Sequence, residues 1–475
     1  MKCRVSLSLL AALVACLPLQ GQDAPLSAPK PNIVFILADD LGLGDVGCYG
    51  QTKIHTPNID KLAAEGMRFT RFYAGNAVCA PSRCSLLTGM HMGHAAVRDN
   101  QERGPTVEGQ LPMPRETVTV AQLLKKAGYY TGIIGKWGLG MPEDQSGPND
   151  FGFDYSYGYL CQRVAHTYYP DHLWRNGVSE PLEGNPKITL SAGWKIEPGG
   201  KKFAHDLMSE DALKFVRDHK GAPFFLYLAF TIPHFSLQVP DDSLSDYNFP
   251  EIPDEEPHYA TQPRPRAAYA GMVSRMDRDI GRLMDELKKA GIDNNTIVFF
   301  TSDNGVTMLK PDILANFFGG AAGLHGYKGD LYEGGIRTPF IARWPGHIQP
   351  GSTSDFIGAF WDMLPTFCEL SGAAATENDG LSIVPTLLQT GTQKQHPWLY
   401  WEYHSAGSSQ AVRMGDWKGI RVKVKASPQA AVELYNLAGD PQEQTDVAAQ
   451  HPEIVATMRE IMSQRTPSPV ARWNF

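Results

Sequence analysis

The chain has no excess of positive charge, no long apolar run after its first residues, no internal repeat and no low-complexity tract. With 43 Lys and Arg against 51 Asp and Glu, its formal net charge is -8, so the clustered basic face that nucleic-acid binding requires is missing. No later segment reaches the roughly 18 apolar residues of a membrane-spanning helix. Its seven cysteines lack the even, close spacing of a disulfide framework. Cys3 and Cys16 lie at the start, which leaves Cys48, Cys79, Cys84, Cys161 and Cys368, an odd set with at least one member free for another purpose. A content of 42% hydrophobic and 20% charged residues over 475 positions excludes disorder and suffices for one large core with a smaller domain.

What is present begins with an export signal. Lys2 and Arg4 precede the apolar run Leu9 to Leu17, too short to span a bilayer. Leu13-Val14-Ala15-Cys16 fits a bacterial lipoprotein box with a lipid anchor on Cys16, and Leu19-Gln20-Gly21 fits ordinary cleavage. The expectation is a signal over residues 1–21 and an exported, periplasmic or extracellular product.

From Asn32 onward, apolar runs alternate with amphipathic segments, the pattern of a largely parallel sheet covered by helices. The runs are Ile33 to Ala38, Tyr130 to Ile134, Pro223 to Phe230, Thr296 to Thr301 and Pro339 to Arg343. The longest helix carries Met272, Met276, Ile280, Leu283 and Leu287 on one face and stops at Gly291. The stretch from about Gly147 to Gly200 reads as loop. After about residue 395 the texture changes to short strand-like pieces with a hairpin turn at Gly415-Asp416, closed by a helix from about Pro452 to Gln464. The expected class is α/β: a large, mostly parallel sheet flanked by helices over residues 30–394, and a smaller antiparallel C-terminal domain over 395–475.

Polar groups follow the apolar runs. Asp39-Asp40, Ser302-Asp303-Asn304, Gly135-Lys136 and Pro233-His234 each stand at the end of one. The carboxyl ends of parallel strands face the ligand crevice, so the four groups are expected to converge. Each alone reads as a cap, a turn, a solvated lysine or a satisfied histidine. Together, Asp39, Asp40, Asp303 and Asn304 form a cluster of hard oxygen donors that suits calcium or magnesium rather than zinc, and calcium if the coordination is irregular. The segment Cys79-Ala80-Pro81-Ser82-Arg83 reads as a helix start that places the Cys79 thiol at a positive helix terminus, where its pKa is expected to fall. A structural cysteine, or a disulfide to Cys84, is the plainer alternative.

Cys79-Ala80-Pro81-Ser82-Arg83, followed by Leu86-Leu87-Thr88-Gly89, resembles the signature of the type I sulfatases, the formylglycine-dependent branch of the alkaline phosphatase superfamily. The resemblance extends through Asp39-Asp40-Leu41-Gly42, Gly135-Lys136-Trp137, Asp303-Asn304-Gly305, Lys328-Gly329 and Tyr332 to Arg337, and ends in Glu433 to Leu437. It implies the sulfatase fold and oxidation of Cys79 to formylglycine (3-oxoalanine) by a separate formylglycine-generating enzyme. It also implies a hydrated aldehyde that attacks sulfur, and one calcium ion held by Asp39, Asp40, Asp303, Asn304 and the modified Cys79. By the same resemblance Arg83 and Lys136 stabilise the diol and the sulfate, Lys328 binds a sulfate oxygen, and His234 is the general acid.

One position departs from the pattern: after Lys136-Trp137 the family usually has histidine, and here stands Gly138. His166 and His325 are candidates to replace it. Substrate contacts are expected from Asp99, Asn100, Arg163, His166 and His404, with Arg98, Tyr168, Tyr169, Trp174 and Glu402 nearby, a set that suits a sulfated sugar. Two rival readings remain: a phosphonate monoester or phosphodiester hydrolase of the same superfamily, and a sugar-binding protein without catalysis.

Overall fold

The apolar runs become strands because nearly every residue in them is buried on both faces. A computed structural model describes residues 30–192, 194–252, 261–307, 314–405 and 407–475; the expected signal over 1–21, with Cys16, lies outside them. The described residues form the strands β1 (Asn32–Ala38), β2 (Met67–Phe69), β3 (Phe72–Tyr73), β4 (Tyr130–Lys136), β5 (Tyr155–Tyr159), β6 (His172–Arg175), β7 (Val178–Pro181), β8 (Phe224–Ala229), β9 (Thr296–Ser302), β10 (Phe340–Arg343), β11 (Ser352–Ser354), β12 (Gly358–Ala359), β13 (Leu399–Tyr403), β14 (Ser409–Met414), β15 (Trp417–Val422) and β16 (Glu433–Asn436).

Ten of them form one sheet in the order β11-β2-β10-β9-β1-β8-β4-β5-β6-β7. The five central strands β9, β1, β8, β4 and β5 are parallel, while β10 and β6–β7 run antiparallel at the flanks. The sheet is therefore mixed around a parallel centre. Two expectations change here. The Pro339 to Arg343 run is an antiparallel neighbour of β9, and the stretch read as loop carries β5, β6 and β7.

Along β1, Val34, Ile36 and Ala38 pack on one face with the helix Pro265–Lys289, whereas Ile33, Phe35 and Leu37 pack on the other with Leu124 and Phe367. Met272, Met276, Ile280, Leu283 and Leu287 are at most 1% exposed, so the long helix does present its apolar stripe to the sheet. Among the described residues no helix is long and apolar enough to cross a membrane.

The smaller sheet, β13-β14-β15-β16, is antiparallel throughout, with the helix Pro452–Ser463 against it. Buried charges fasten it to the larger unit. Lys418 Nζ lies 2.9 Å from Glu333 Oε1 and 2.9 Å from Glu443 Oε1, and Tyr73 donates to Glu333 Oε2 at 2.7 Å. Glu402 accepts from Arg98 at 2.8 Å, and from Arg465, which also donates to the Trp473 carbonyl at 2.8 Å. That pair ties the C-terminal segment down. Burial alone would raise the Glu402 carboxyl, but His404, Arg465 and Arg98 outweigh it and hold the group at about 2, against an ordinary 4.5.

Two outcomes follow. Lys418→Met leaves two buried carboxylates facing each other and lowers unfolding stability by about 3–5 kcal/mol in denaturant titrations. Because the folded Glu402 has the lower pKa, its contribution is fully present above about pH 4.5 and is lost as pH falls toward 2, a term of about 3 kcal/mol. Melting temperatures of Glu402→Gln should show a shallower decline than wild type over that window.

Candidate active site

The carboxyl ends of the parallel strands supply the site one after another. β1 runs into Asp39-Asp40, β9 into Asp303-Asn304, β4 ends at Lys136, and the segment after β8 delivers His234. Ala38 pairs with Ser302, which sets the two acidic segments side by side. Asp40 takes a positive φ of 65°, a strained turn that a non-glycine residue holds only under firm support. That support is an amide-to-carboxylate bond from Asp40 N to Asp303 Oδ1 at 3.2 Å and one from Asn304 Nδ2 to Asp40 Oδ1 at 2.8 Å.

The expected helix is present as Cys79–Thr88, closed by Gly89 at φ 71°. All ten of its residues are buried. Val78, at the cap, offers no side-chain oxygen, so Asn100 Oδ1 accepts from Ala80 N at 2.9 Å and satisfies a donor of the first turn. Cys79 opens the helix with its Sγ 3.4 Å from Asp39 Oδ1 and 3.6 Å from Lys328 Nζ. It and Cys84 are both free.

Three acids meet three cations here. Lys136 Nζ donates to Asp39 Oδ2 at 2.7 Å, Arg83 donates to Asp303 Oδ2 at 3.0 and 2.7 Å, and Lys328 Nζ donates to Asp40 at 2.8 Å. Despite burial, which alone would raise it, Lys136, Arg83 and Lys328 hold Asp39 well below the usual carboxylate range. Burial and the adjacent Asp39 push Asp303 up to about 6. The crowding of negative charge is thus met by side chains. What fits a cation is the donor set itself. Asp39, Asp40, Cys79 and His234 bring ligand atoms within 4.8 Å of one another, and Asn304 Oδ1 is buried with no hydrogen-bond partner among the described residues. The oxygen donors are hard, the His234 imidazole is borderline and the thiol is soft.

The thiol does not behave as its helix position suggested. Burial, then Asp39, push Cys79 up to about 12, so desolvation outweighs the helix terminus. His234 donates from Nδ1 to the Phe235 carbonyl at 2.5 Å and turns Nε2 toward Asp40 Oδ2 at 3.6 Å. Burial and Lys328 draw its pKa down to about 4. The His166 ring stacks on it with centroids 4.4 Å apart.

A cavity of about 680 Å³ opens above this cluster, and its wall includes Asp40, Cys79, Asn100, Gln110, Gln162, Arg163, His166, His234, Lys328, Tyr403 and Arg472. Asp39, Asp303, Asn304, Arg83 and Lys136 lie beneath the wall and steady it. The family model for sulfatases matches residues 31–373, and the model for the N-sulphoglucosamine sulphohydrolase C-terminal region matches residues 323–467.

The chain belongs to the sulfatase family.

It is accordingly a sulfuric ester hydrolase. Human arylsulfatase A is 33% identical over 499 residues, covering 94% of this chain and 91% of its own length. The N-acetylgalactosamine-6-O-sulfatase of Bacteroides thetaiotaomicron is 29% identical over 519 residues, covering 95% and 96%. Among solved structures, Ps i-CgsB superposes with a TM-score of 0.75 at 31% identity, covering 93% of this chain and 94% of that one, and it has also been solved with k-i-k-neocarrahexaose.

In this sulfatase the expected substrate residues divide. Asn100, Arg163 and His166 reach the wall. Arg163 spends its guanidinium on the carbonyls of Gly104, Pro105 and Val107 and on Glu102, so it anchors a loop rather than offering a free cation. Asp99 accepts from Ser405 behind the wall, and His404 bonds Glu402 at 3.0 Å and stacks on Phe475. Arg98 is likewise occupied by Glu402. Tyr168 braces the backbone at Thr231 and His234, and Trp174 bonds Glu108; the aromatic rings on the wall are Phe235 and Tyr403 instead. His325 stacks on Tyr332 away from the wall. Gln110, Gln162 and Arg472 were missed, since isolated polar residues in irregular segments carry no periodic signal. A second histidine–acid group, His91, His94 and Asp379, is a hydrogen-bonded trio: His91 Nδ1 accepts from Gly93 N at 3.0 Å, so Nε2 carries hydrogen and cannot ligate.

Arg83 is fully buried and neutralises Asp303 and Asp39. Arg83→Met is therefore expected to cost about 3–5 kcal/mol of unfolding stability as well as activity. A variant that lost turnover with no change in its denaturation midpoint would show a purely chemical role instead.

Proposed function

We propose that this sulfatase releases inorganic sulfate from a sulfated carbohydrate, using formylglycine made from Cys79 by a formylglycine-generating enzyme and one calcium ion. The observation that carries the reading is the place of Cys79 Sγ, on the cavity floor among Asp39, Asp40, Lys328 and the unpartnered Asn304 Oδ1. A thiol is the one soft donor in a hard-oxygen set, and its conversion to a hydrated aldehyde would make the set uniform. Asp39, Asp40, Asp303 and Asn304 would hold calcium, whose charge would polarise the sulfate ester when bound. The aldehyde hydrate would supply the oxygen nucleophile.

The chain's own groups do the rest. Lys328 Nζ, on the wall beside Cys79, meets a sulfate oxygen. Lys136 and Arg83, which do not reach the cavity, position Asp39 and Asp303. His234 is neutral in the present arrangement, with Nε2 turned to the site. A bound sulfate ester places negative charge beside that nitrogen and raises its pKa toward what protonation of a leaving oxygen requires.

The wall favours a sugar: side-chain amides at Asn100, Gln101, Gln110 and Gln162 stand with the rings of Phe235 and Tyr403, hydrogen bonds for hydroxyls beside faces for stacking. The sugar-sulfatase names of the relatives support the same class. Domain division at residue 394, export through residues 1–21 and a lipid on Cys16 belong to this proposal as well.

Peptide mass spectrometry of Cys79 from the native host is expected to find the aldehyde or its hydrate, and Cys79→Ala to abolish turnover. Chelation is expected to remove activity and lower the melting temperature, with calcium restoring both. An unmodified thiol in active native protein would overturn the nucleophile. A faster reaction with a matched phosphodiester than with the sulfate ester would favour the phosphonate and phosphodiester hydrolase reading, and full function in Cys79→Ala a sugar-binding role.

A further inference from the structure

Gln162 stands just past the end of β5 with its side chain in the cavity wall, yet its residue is only 5% exposed. Its backbone amide donates to Gln110 Oε1 at 2.8 Å, but its carboxamide makes no hydrogen bond to any described residue, and Nε2 is fully enclosed. A buried primary amide without a partner is destabilising, and such a group persists where something else needs it.

Its surroundings indicate what. A Cβ built on Gly138 falls 2.3 Å from Gln162 Nε2. Gly138 also holds a φ of 70°, where side chains are strained. The two positions therefore compete for one volume. With no side chain at 138, the Gln162 carboxamide fills the space two residues beyond Lys136, whose ammonium bonds Asp39, and four residues before His166, which stacks on His234. Gln162 shares that cavity wall with Cys79, His234 and Lys328.

We infer that Gln162 is a substrate-contacting residue: its side chain occupies the volume left open by Gly138, and its carboxamide turns its N–H into the cavity to donate to an oxygen of the sulfate ester. The inference rests on the sulfatase reading of the cavity. A neutral amide suits the position, because a carboxylate there would repel the sulfate. Rotation of the carboxamide about its last bond brings N–H to the ligand with no change in shape.

The test compares Gln162→Leu and Gln162→Glu with wild type in three measurements: kcat and KM on an aryl sulfate and on a sulfated monosaccharide, calorimetric affinity for inorganic sulfate, and melting temperature. Gln162→Leu is expected to lose on the order of 10- to 100-fold in kcat/KM on both esters, to bind sulfate more weakly, and to melt at the same or a higher temperature. Loss of function without loss of stability is what a merely structural glutamine would not produce. Gln162→Glu is expected to lose more on both counts. Unchanged kcat/KM and sulfate affinity in Gln162→Leu would overturn the inference, as would a loss confined to the sugar ester. Wild-type protein that neither binds sulfate nor cleaves either ester would instead overturn the reading of the site.

Discussion

The arrangement that everything else serves is a desolvated balance of charge beneath the cavity floor. Asp39, Asp40 and Asp303 are fully or almost fully buried, and Lys136, Lys328 and Arg83 meet them at hydrogen-bond distance. Isolated, any of these ions would cost several kcal/mol to bury. Held together, they require five chain segments to meet within a few ångströms of each other; the parallel centre of the sheet supplies three, and the helix Cys79–Thr88 and the segment at Lys328 supply the others. The pairing of Ala38 with Ser302 and of Leu37 with Ala229 leaves little freedom for the acids to drift apart.

The smaller sheet takes part in this arrangement rather than hanging beside it. Lys328 reaches Asp40 from a segment whose continuation, Glu333, is gripped by Lys418 of β15 and by Tyr73. Disturbance in the C-terminal region therefore propagates to the cavity through one short stretch of chain. The Glu402 cluster does the same for the terminal segment, which brings Arg472 to the wall.

Much of this was legible in the sequence because strands buried on both faces are uninterrupted apolar runs, and polar residues directly after such runs fall at one edge. The Cys79-to-Gly89 segment was legible because its residue types are so specific. Other features left weaker traces. Strand direction is not written in composition, so β10 was read without its antiparallel pairing. The strand β5, Tyr-Ser-Tyr-Gly-Tyr, hides its alternation behind polar rings, although Asn176-Gly177 between β6 and β7 is a hairpin turn that the residues did announce. The pKa of Cys79 went against local reasoning because burial depends on the whole fold while a helix terminus is local. Asp99 and His404 looked like ligand contacts for their chemistry alone; Ser405 is brought to Asp99 only by the fold, whereas Glu402 stands two residues from His404 and was a local partner that the residues did offer.

Asn100 illustrates how tightly recognition and architecture are joined. Its side chain forms part of the cavity wall and also satisfies the first turn of the helix that begins with Cys79. Natural variation that reshaped the wall at this point would shift Cys79 at the same time. Change in the shape of the cavity is therefore channelled away from Asn100 and toward wall residues, such as Gln101 and Tyr403, that carry no part of the helix.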